Sequence, residues 1–320
     1  MSTRASPPIF GNFPSTGDVF RAVLTRKVLV LSALFGLSIS VLTAILLQTG
    51  LVLKTFEFGR FVLLAAAMFV LSGWCYVRKI DPRFADSANI IGVATIALML
   101  CGLIANTGIR VNMPVADGTL AAADAAIGLN MADVVRLSAE TPWLSFVLHF
   151  AYNWSALAVV VAVVSMLAFK QSVRAWELVL TAVIAMQVVA IISVFFPAKG
   201  TAFFYDLIHL QGNGIPAGAA VYAGETFDWF YHGSETVVGL ADLNGVVVFP
   251  SFHTVLGLLA TQALWNTKAR WPAVIWSAAV ILSTVPMGGH YAVDLAAGVI
   301  VWVVSYKIAL WTLDKRQPAQ

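Results

Sequence analysis

The chain has 320 residues, of which 60% are hydrophobic and only 11% charged, and its mean hydropathy is +0.86. A soluble domain has no core large enough to hide that much apolar surface, so membrane insertion follows from composition alone. The formal charge of +3 is small, no basic tract interleaved with aromatic residues points to nucleic acid, and Cys75 and Cys101 offer neither a disulfide framework nor metal-type spacing.

In chain order, residues 1–27 read as a flexible cytoplasmic tail, rich in Pro, Ser and Gly at its start. Eight apolar runs follow, at about 28–53, 61–77, 88–106, 143–169, 176–196, 249–266, 271–287 and 290–312. They approach or exceed the roughly 20 residues that an α-helix needs to cross about 30 Å of hydrocarbon. The expected fold is therefore an all-α polytopic transmembrane helix bundle of about eight spans. Two connections are long, Thr107 to Pro142 and Pro197 to Val248. The first carries Leu120, Ala121, Asp124, Ile127 and Leu129 at partly helical spacing, which predicts an amphipathic helix at the membrane interface. The chain thus divides into the tail, an N-terminal set of spans over 28–196 with this interfacial loop, and a second outer loop with the catalytic core spans over 197–320. With eight spans, 14 of the 19 basic residues fall on the side of the termini. The positive-inside rule then puts both termini in the cytoplasm and the long loops on the periplasmic or outer face of the inner, cytoplasmic membrane.

Of the five histidines, His149 lies within the fourth apolar run and His209 and His232 in the second long connection, and these three read as structural. His253 stands in Pro250-Ser251-Phe252-His253, where Pro and Ser open a helix directly after a loop. A helix start offers unpaired N–H groups and a positive dipole end, both suited to a phosphate, and Ser251 adds a hydroxyl. His290 stands in Gly288-Gly289-His290-Tyr291-Ala292-Val293-Asp294, and the spacing of four puts Asp294 on the same helical face. An acid inside a membrane helix needs a partner, and His290 is the one at hand. Gly288 and Gly289 leave the backbone open to a large headgroup. One helical hairpin joins the two motifs, so both histidines are expected at the outer ends of spans, at one depth.

Those residues carry a resemblance. Pro250-Ser251-Phe252-His253 resembles the Pro-Ser-Gly-His motif of the type 2 phosphatidic acid phosphatase superfamily, and Ser283-Thr284, five residues, His290, three residues, Asp294 is similar in spacing to its Ser-Arg-x5-His-x3-Asp motif. The resemblance implies that His290 is the nucleophile and forms a phosphohistidine, that Asp294 orients it, and that His253 protonates the leaving alcohol and later activates the acceptor. It also implies that Ser251 holds phosphoryl oxygens. Thr284 stands where the phosphatases carry a phosphate-binding Arg, and no Lys-x6-Arg-Pro motif precedes it. The loss of a fixed guanidinium clamp argues against ordinary phosphatase activity. Phe249-Pro250-Ser251-x-His253, Gly289-His290-Tyr291-x-x-Asp294 and Phe196-Pro197-Ala198 are more similar to the branch that contains fungal inositol phosphorylceramide synthase, a sphingolipid enzyme in which a lipid alcohol resolves the intermediate. The replacement cation is expected among Lys199, Arg110 and Arg136.

The expected activity is a lipid phosphotransferase acting on a membrane phospholipid donor, with catalytic His290, His253 and Asp294, and with phosphate held by Ser251, Gly289 and Lys199. No metal or other cofactor is called for, because helix dipoles and basic side chains can meet the phosphate charge. The alternatives are a lipid-phosphate phosphatase that uses water as acceptor, and a non-catalytic transporter or scaffold.

Overall fold

The computed structural model describes residues 16–314, with side chains from residue 26. Much of the expected tail, 1–15, lies outside the described residues, and a helix already begins at Thr16, ahead of the expected first span. The described residues form twelve α-helices: α1 Thr16–Thr49, α2 Thr55–Val77, α3 Pro82–Ile109, α4 Asp117–Ala126, α5 Met131–Glu140, α6 Pro142–Ala168, α7 Ser172–Phe195, α8 Thr201–Phe204, α9 Gly224–His232, α10 Phe252–Leu264, α11 Arg270–Gly288 and α12 Ala292–Leu313. Two short strands, β1 Val52–Leu53 and β2 Val237–Val238, pair in parallel and tie the α1–α2 turn to the second long connection.

Seven helices, α1, α2, α3, α6, α7, α11 and α12, are long and apolar enough to cross a membrane, and the protein is a multi-pass helical bundle. A helix is the natural choice in hydrocarbon because it satisfies every interior backbone group within the segment. The expected sixth span is shorter than predicted: α10 has 13 residues, about 20 Å of helix. Ser251 caps its start, its side chain accepting the Thr254 N–H, so the preceding Phe249-Pro250 stays outside the helix. It nevertheless runs the length of the bundle, because the Ala263 carbonyl near its end accepts from Arg174 in the first turn of α7.

The other contacts at that end are of the same kind. Arg83 in the first turn of α3 donates to the Ala168 carbonyl at the end of α6, and Arg26 donates to the Asp314 carbonyl after α12. This is the far end of the bundle. The opposite end carries α4, α5, α8, α9 and the strands. Central α7 is buried over most of its length, with Leu178, Leu180, Ala185 and Ala190 fully enclosed, whereas α2 packs chiefly on α3 and exposes Leu63, Val70 and Val77, as a lipid-facing helix does. Helices α10 and α11 form a hairpin in which Gly257 lies close to the Ser277 backbone and the Ser277 hydroxyl donates to the Gly257 carbonyl. Gly298 does the same for α12 and α10: a Cβ there would meet the Ser251 carbonyl at 2.5 Å. Small residues at these crossings let helix backbones approach closely.

The first long connection holds two helices where one amphipathic helix was expected. On α4, Asp117, Leu120, Ala121 and Asp124 are buried, while Ile127 and Leu129 beyond its end are exposed. Its two acids therefore face the protein.

Candidate active site

The turn between α11 and α12 is built by a glycine. Gly289 ends α11 in the left-handed conformation, at φ +73°, where a side chain would be strained. Its N–H donates to the Val285 carbonyl at 3.1 Å, and the His290 N–H donates to the Thr284 carbonyl at 3.2 Å. The chain therefore turns tightly and delivers His290 into the interior, 1% exposed. Thr284, at the position where the resemblance leads one to look for a cation, is buried and its hydroxyl donates to the Ile281 carbonyl at 2.7 Å.

One turn into α12, Asp294 Oδ2 lies 3.3 Å from His290 Nδ1 and accepts the Tyr291 N–H at 2.8 Å. Both side chains of the pair are almost wholly enclosed. The tautomer that satisfies this pair has Nδ1 protonated and donating to the carboxylate, which leaves the ring's lone pair on Nε2. Nε2 lies 3.5 Å from Ser251 Oγ at the start of α10, and the Ser251 N–H donates to the Asp294 backbone carbonyl at 3.1 Å, so the N-termini of α10 and α12 are fastened to each other. Burial pushes the His290 imidazole down to about 4, against an opposing pull from the Val248 carbonyl. The ring is neutral at pH 7, the state in which it can attack an electrophile.

His253 sits beside this pair, its ring centroid 6.5 Å from that of His290 at an interplanar angle of 60°. Its other face stacks on Tyr152 of α6 at 4.0 Å and 15°, and the Tyr152 hydroxyl is hydrogen bonded to that of Tyr222 at 3.0 Å. A side chain at Gly288 would fall 2.9 Å from His290 Cδ2 and 3.0 Å from Tyr152, so that glycine makes room for the two rings rather than for a headgroup.

Around the pair stands a carboxylate scaffold. Asp124, wholly buried, accepts the Ala292 and Val293 N–H groups at 2.8 and 2.9 Å and so caps the start of α12 from outside the helix. Asp117 accepts the Lys199 and Gly200 N–H groups at 2.8 and 2.7 Å and the Tyr291 hydroxyl at 2.8 Å. Burial, with the Asp117 carboxylate beside it, pushes the Tyr291 phenol up, so it remains a donor. The Thr201 N–H closes the ring by donating to the Gly289 carbonyl at 2.8 Å.

His290, Asp294, Ser251, His253 and Gly289 thus come together. Lys199 reaches the same scaffold through its backbone, but its ammonium pairs with Asp228 at 2.6 Å and lies over the Phe203 ring. Arg110 is committed elsewhere: its guanidinium donates to the carbonyls of Trp229, Phe230 and Glu235 and so caps α9. Arg136 is exposed and pairs with Asp133. His149 lies against Asn153 on the exposed face of α6, and His209 against the Asp206 carbonyl. Tyr152, Tyr222, Asp117, Asp124 and Tyr291 escape sequence reading as site residues. Asp117 and Asp124 do leave a trace, since acids seven apart share one helical face, and Tyr291 stands inside the Gly289-His290-Tyr291-x-x-Asp294 pattern; Tyr152, in an apolar run, leaves none.

Residues 118–308, more than half of the chain, match the family described as the PAP2 superfamily. No curated protein and no solved structure matches.

Proposed function

Because the chain belongs to the PAP2 superfamily, whose members are phosphatases and phosphotransferases, and has seven helices fit to cross a membrane, we propose that it is a lipid phosphotransferase working through phospho-His290. The observation that carries the reading is the buried His290–Asp294 pair, with Nδ1 on the carboxylate and Nε2 facing Ser251. In the first half-reaction Nε2 attacks phosphorus and the bond to the departing lipid alcohol breaks; His253, protonated once the negative charge of the phosphate lies beside its ring, gives that oxygen a proton. In the second, His253 takes a proton from an acceptor hydroxyl, which attacks phosphorus and returns His290 to its neutral state. Asp294 keeps the ring orientation through both halves and offsets its positive charge. Ser251 and the free N–H groups at the start of α10 receive the phosphoryl oxygens. Lys199 is the cation nearest this scaffold by its backbone, and it serves a phosphate by leaving Asp228. Gly289 contributes the left-handed turn.

Transfer to a lipid alcohol is preferred to hydrolysis because Thr284 turns its hydroxyl into its own helix and Arg110 is spent on α9. Phosphatase chemistry anchored by a fixed guanidinium has no such anchor among the described residues. The positive-inside bias of the sequence supports a site on the outer face, with both termini in the cytoplasm. The test uses a lipid donor labelled in its phosphoryl group. Acid-labile label should accumulate on the wild-type protein and vanish in His290→Ala. His253→Ala should lose about 10²–10⁴-fold in turnover while still binding the lipid. A well-folded His290→Ala protein with near-normal turnover would overturn the mechanism, and product formation that ignores added lipid alcohol would favour hydrolysis.

A further inference from the structure

A cavity of about 730 Å³ lies between α3 and α6, floored by α7 and α10. Along α3 it runs from Arg83 to Leu98, about 20 Å of helix. Its lining is almost entirely apolar, with Ala94, Ala182 and Val183 near the middle. Its upper end is formed by Phe252, the residue between Ser251 and His253. Its foot is closed by Arg83, which Asp81 holds in a salt bridge at 2.8 Å and which donates to the Ala168 carbonyl across the groove. Its lips, Ile91 and Leu98 on α3 and Val160 and Val164 on α6, are exposed and face sideways, where a membrane protein meets lipid.

We propose that this groove binds the hydrocarbon chain of the lipid phosphate handled at Ser251 and His290, and that Arg83 sets the longest chain it accepts. The proposal rests on the lipid-phosphate reading of the site. Three observations favour a chain over any other occupant. The groove opens to the bilayer along its side, so a chain enters without crossing water. Phe252, which lies between Ser251 and His253, lines the groove although those two residues do not, so a chain leaving a phosphate at the site finds the groove beside it. Its length of about 20 Å exceeds the roughly 15 Å of one leaflet's hydrocarbon, so a chain seated there passes the membrane midplane and is held by protein beyond the reach of a bulk lipid tail.

The test that does not depend on turnover uses full-length protein in phosphatidylcholine vesicles and an uncleavable phosphonate analogue of phosphatidate with a diazirine at the end of one chain. With a palmitoyl chain, photolabel should fall at the foot, on Ser87 and Leu167; with an octanoyl chain, it should fall near Phe252 and Met186. Equal labelling by the two probes of lipid-facing residues outside the groove, such as Val161, would overturn the proposal, as would groove labelling by phosphatidylcholine carrying the same diazirine. The second arm measures turnover. Each buried methylene is worth roughly fourfold in binding, so Ala94→Phe or Ala182→Phe should lower kcat/KM for dipalmitoyl phosphatidate by roughly 100-fold and leave dioctanoyl phosphatidate within about twofold. Arg83→Ala should shift the preferred chain to greater length, and an unchanged preference would remove its role. Groove labelling without any turnover would sink the enzymatic reading and spare the groove; normal turnover without discrimination in the Phe variants would do the reverse.

Discussion

Tyr152 holds His253 through a ring face, a contact that fixes orientation without competing for the imidazole nitrogens. Tyr152→Phe keeps that face and loses only the bond to Tyr222, so activity should fall less than about threefold; Tyr152→Leu lets the ring rotate and should cost at least about tenfold, the worth of roughly 1.4 kcal/mol of misorientation. Steady-state kinetics on the two variants separates them, and equal losses would show that stacking is irrelevant. His290 makes a pH-dependent contribution of definite sign. Its folded value of about 4 lies below the ordinary imidazole value of about 6.5, so between those values the unfolded chain binds more protons than the folded one. The stability that comes from burying a neutral ring is complete above about pH 6.5 and is lost as the pH falls toward 4. Melting temperatures in detergent between pH 7 and 4.5 should therefore drop less steeply for His290→Gln than for wild type. Parallel slopes would contradict a buried neutral His290.

At the scale of elements, the site depends on two helix starts being fastened together. Ser251 caps α10 from within, whereas α12 is capped by a residue from a distant helix, Asp124 of α4. Asp124→Ala leaves two partly buried N–H groups without that acceptor and should destabilise the protein by about 1–3 kcal/mol, with Asp124→Asn intermediate because an amide oxygen still accepts. Because Asp294 lies in the same first turn, the loss in turnover should exceed what the loss of folded protein explains. Folded fraction and turnover measured on the same preparation test this, and an activity per folded molecule equal to wild type would show that α4 merely stabilises.

For the whole molecule, the question is how many times the chain crosses. Seven helices have the length, and α10 is short, yet it passes from the Ser251 end to the Arg174 end of the bundle. If it crosses, the start of α1 and the end of α12 share a face, which agrees with the Arg26–Asp314 contact. Ser234→Cys and Lys268→Cys, both at exposed positions at opposite ends, should react oppositely with an impermeant thiol reagent in intact cells. The native Cys75 is buried and Cys101 partly buried, so background labelling should be low. Equal labelling of the two positions would rule out the eight-crossing arrangement.

Composition and periodicity by themselves determined that the chain is a membrane helix bundle and where most helices lie, because about 20 apolar residues in hydrocarbon have few alternatives to a helix. Local spacing also sufficed for His290 with Asp294 and for Ser251 at a helix start, since residues four apart share a face and a cap lies beside what it caps. The short length of α10, the approach of α12 through Gly298, the stacking of Tyr152 on His253 and the capping of α12 by Asp124 were decided only by tertiary structure. The last three join residues more than forty positions apart, and no helical period relates such residues. The same holds for two of the cations: only the fold assigns Arg110 to the α9 carbonyls and Lys199 to the scaffold beside Gly289, whereas Arg136 pairs with Asp133 three residues away, a partner that helical spacing already offers.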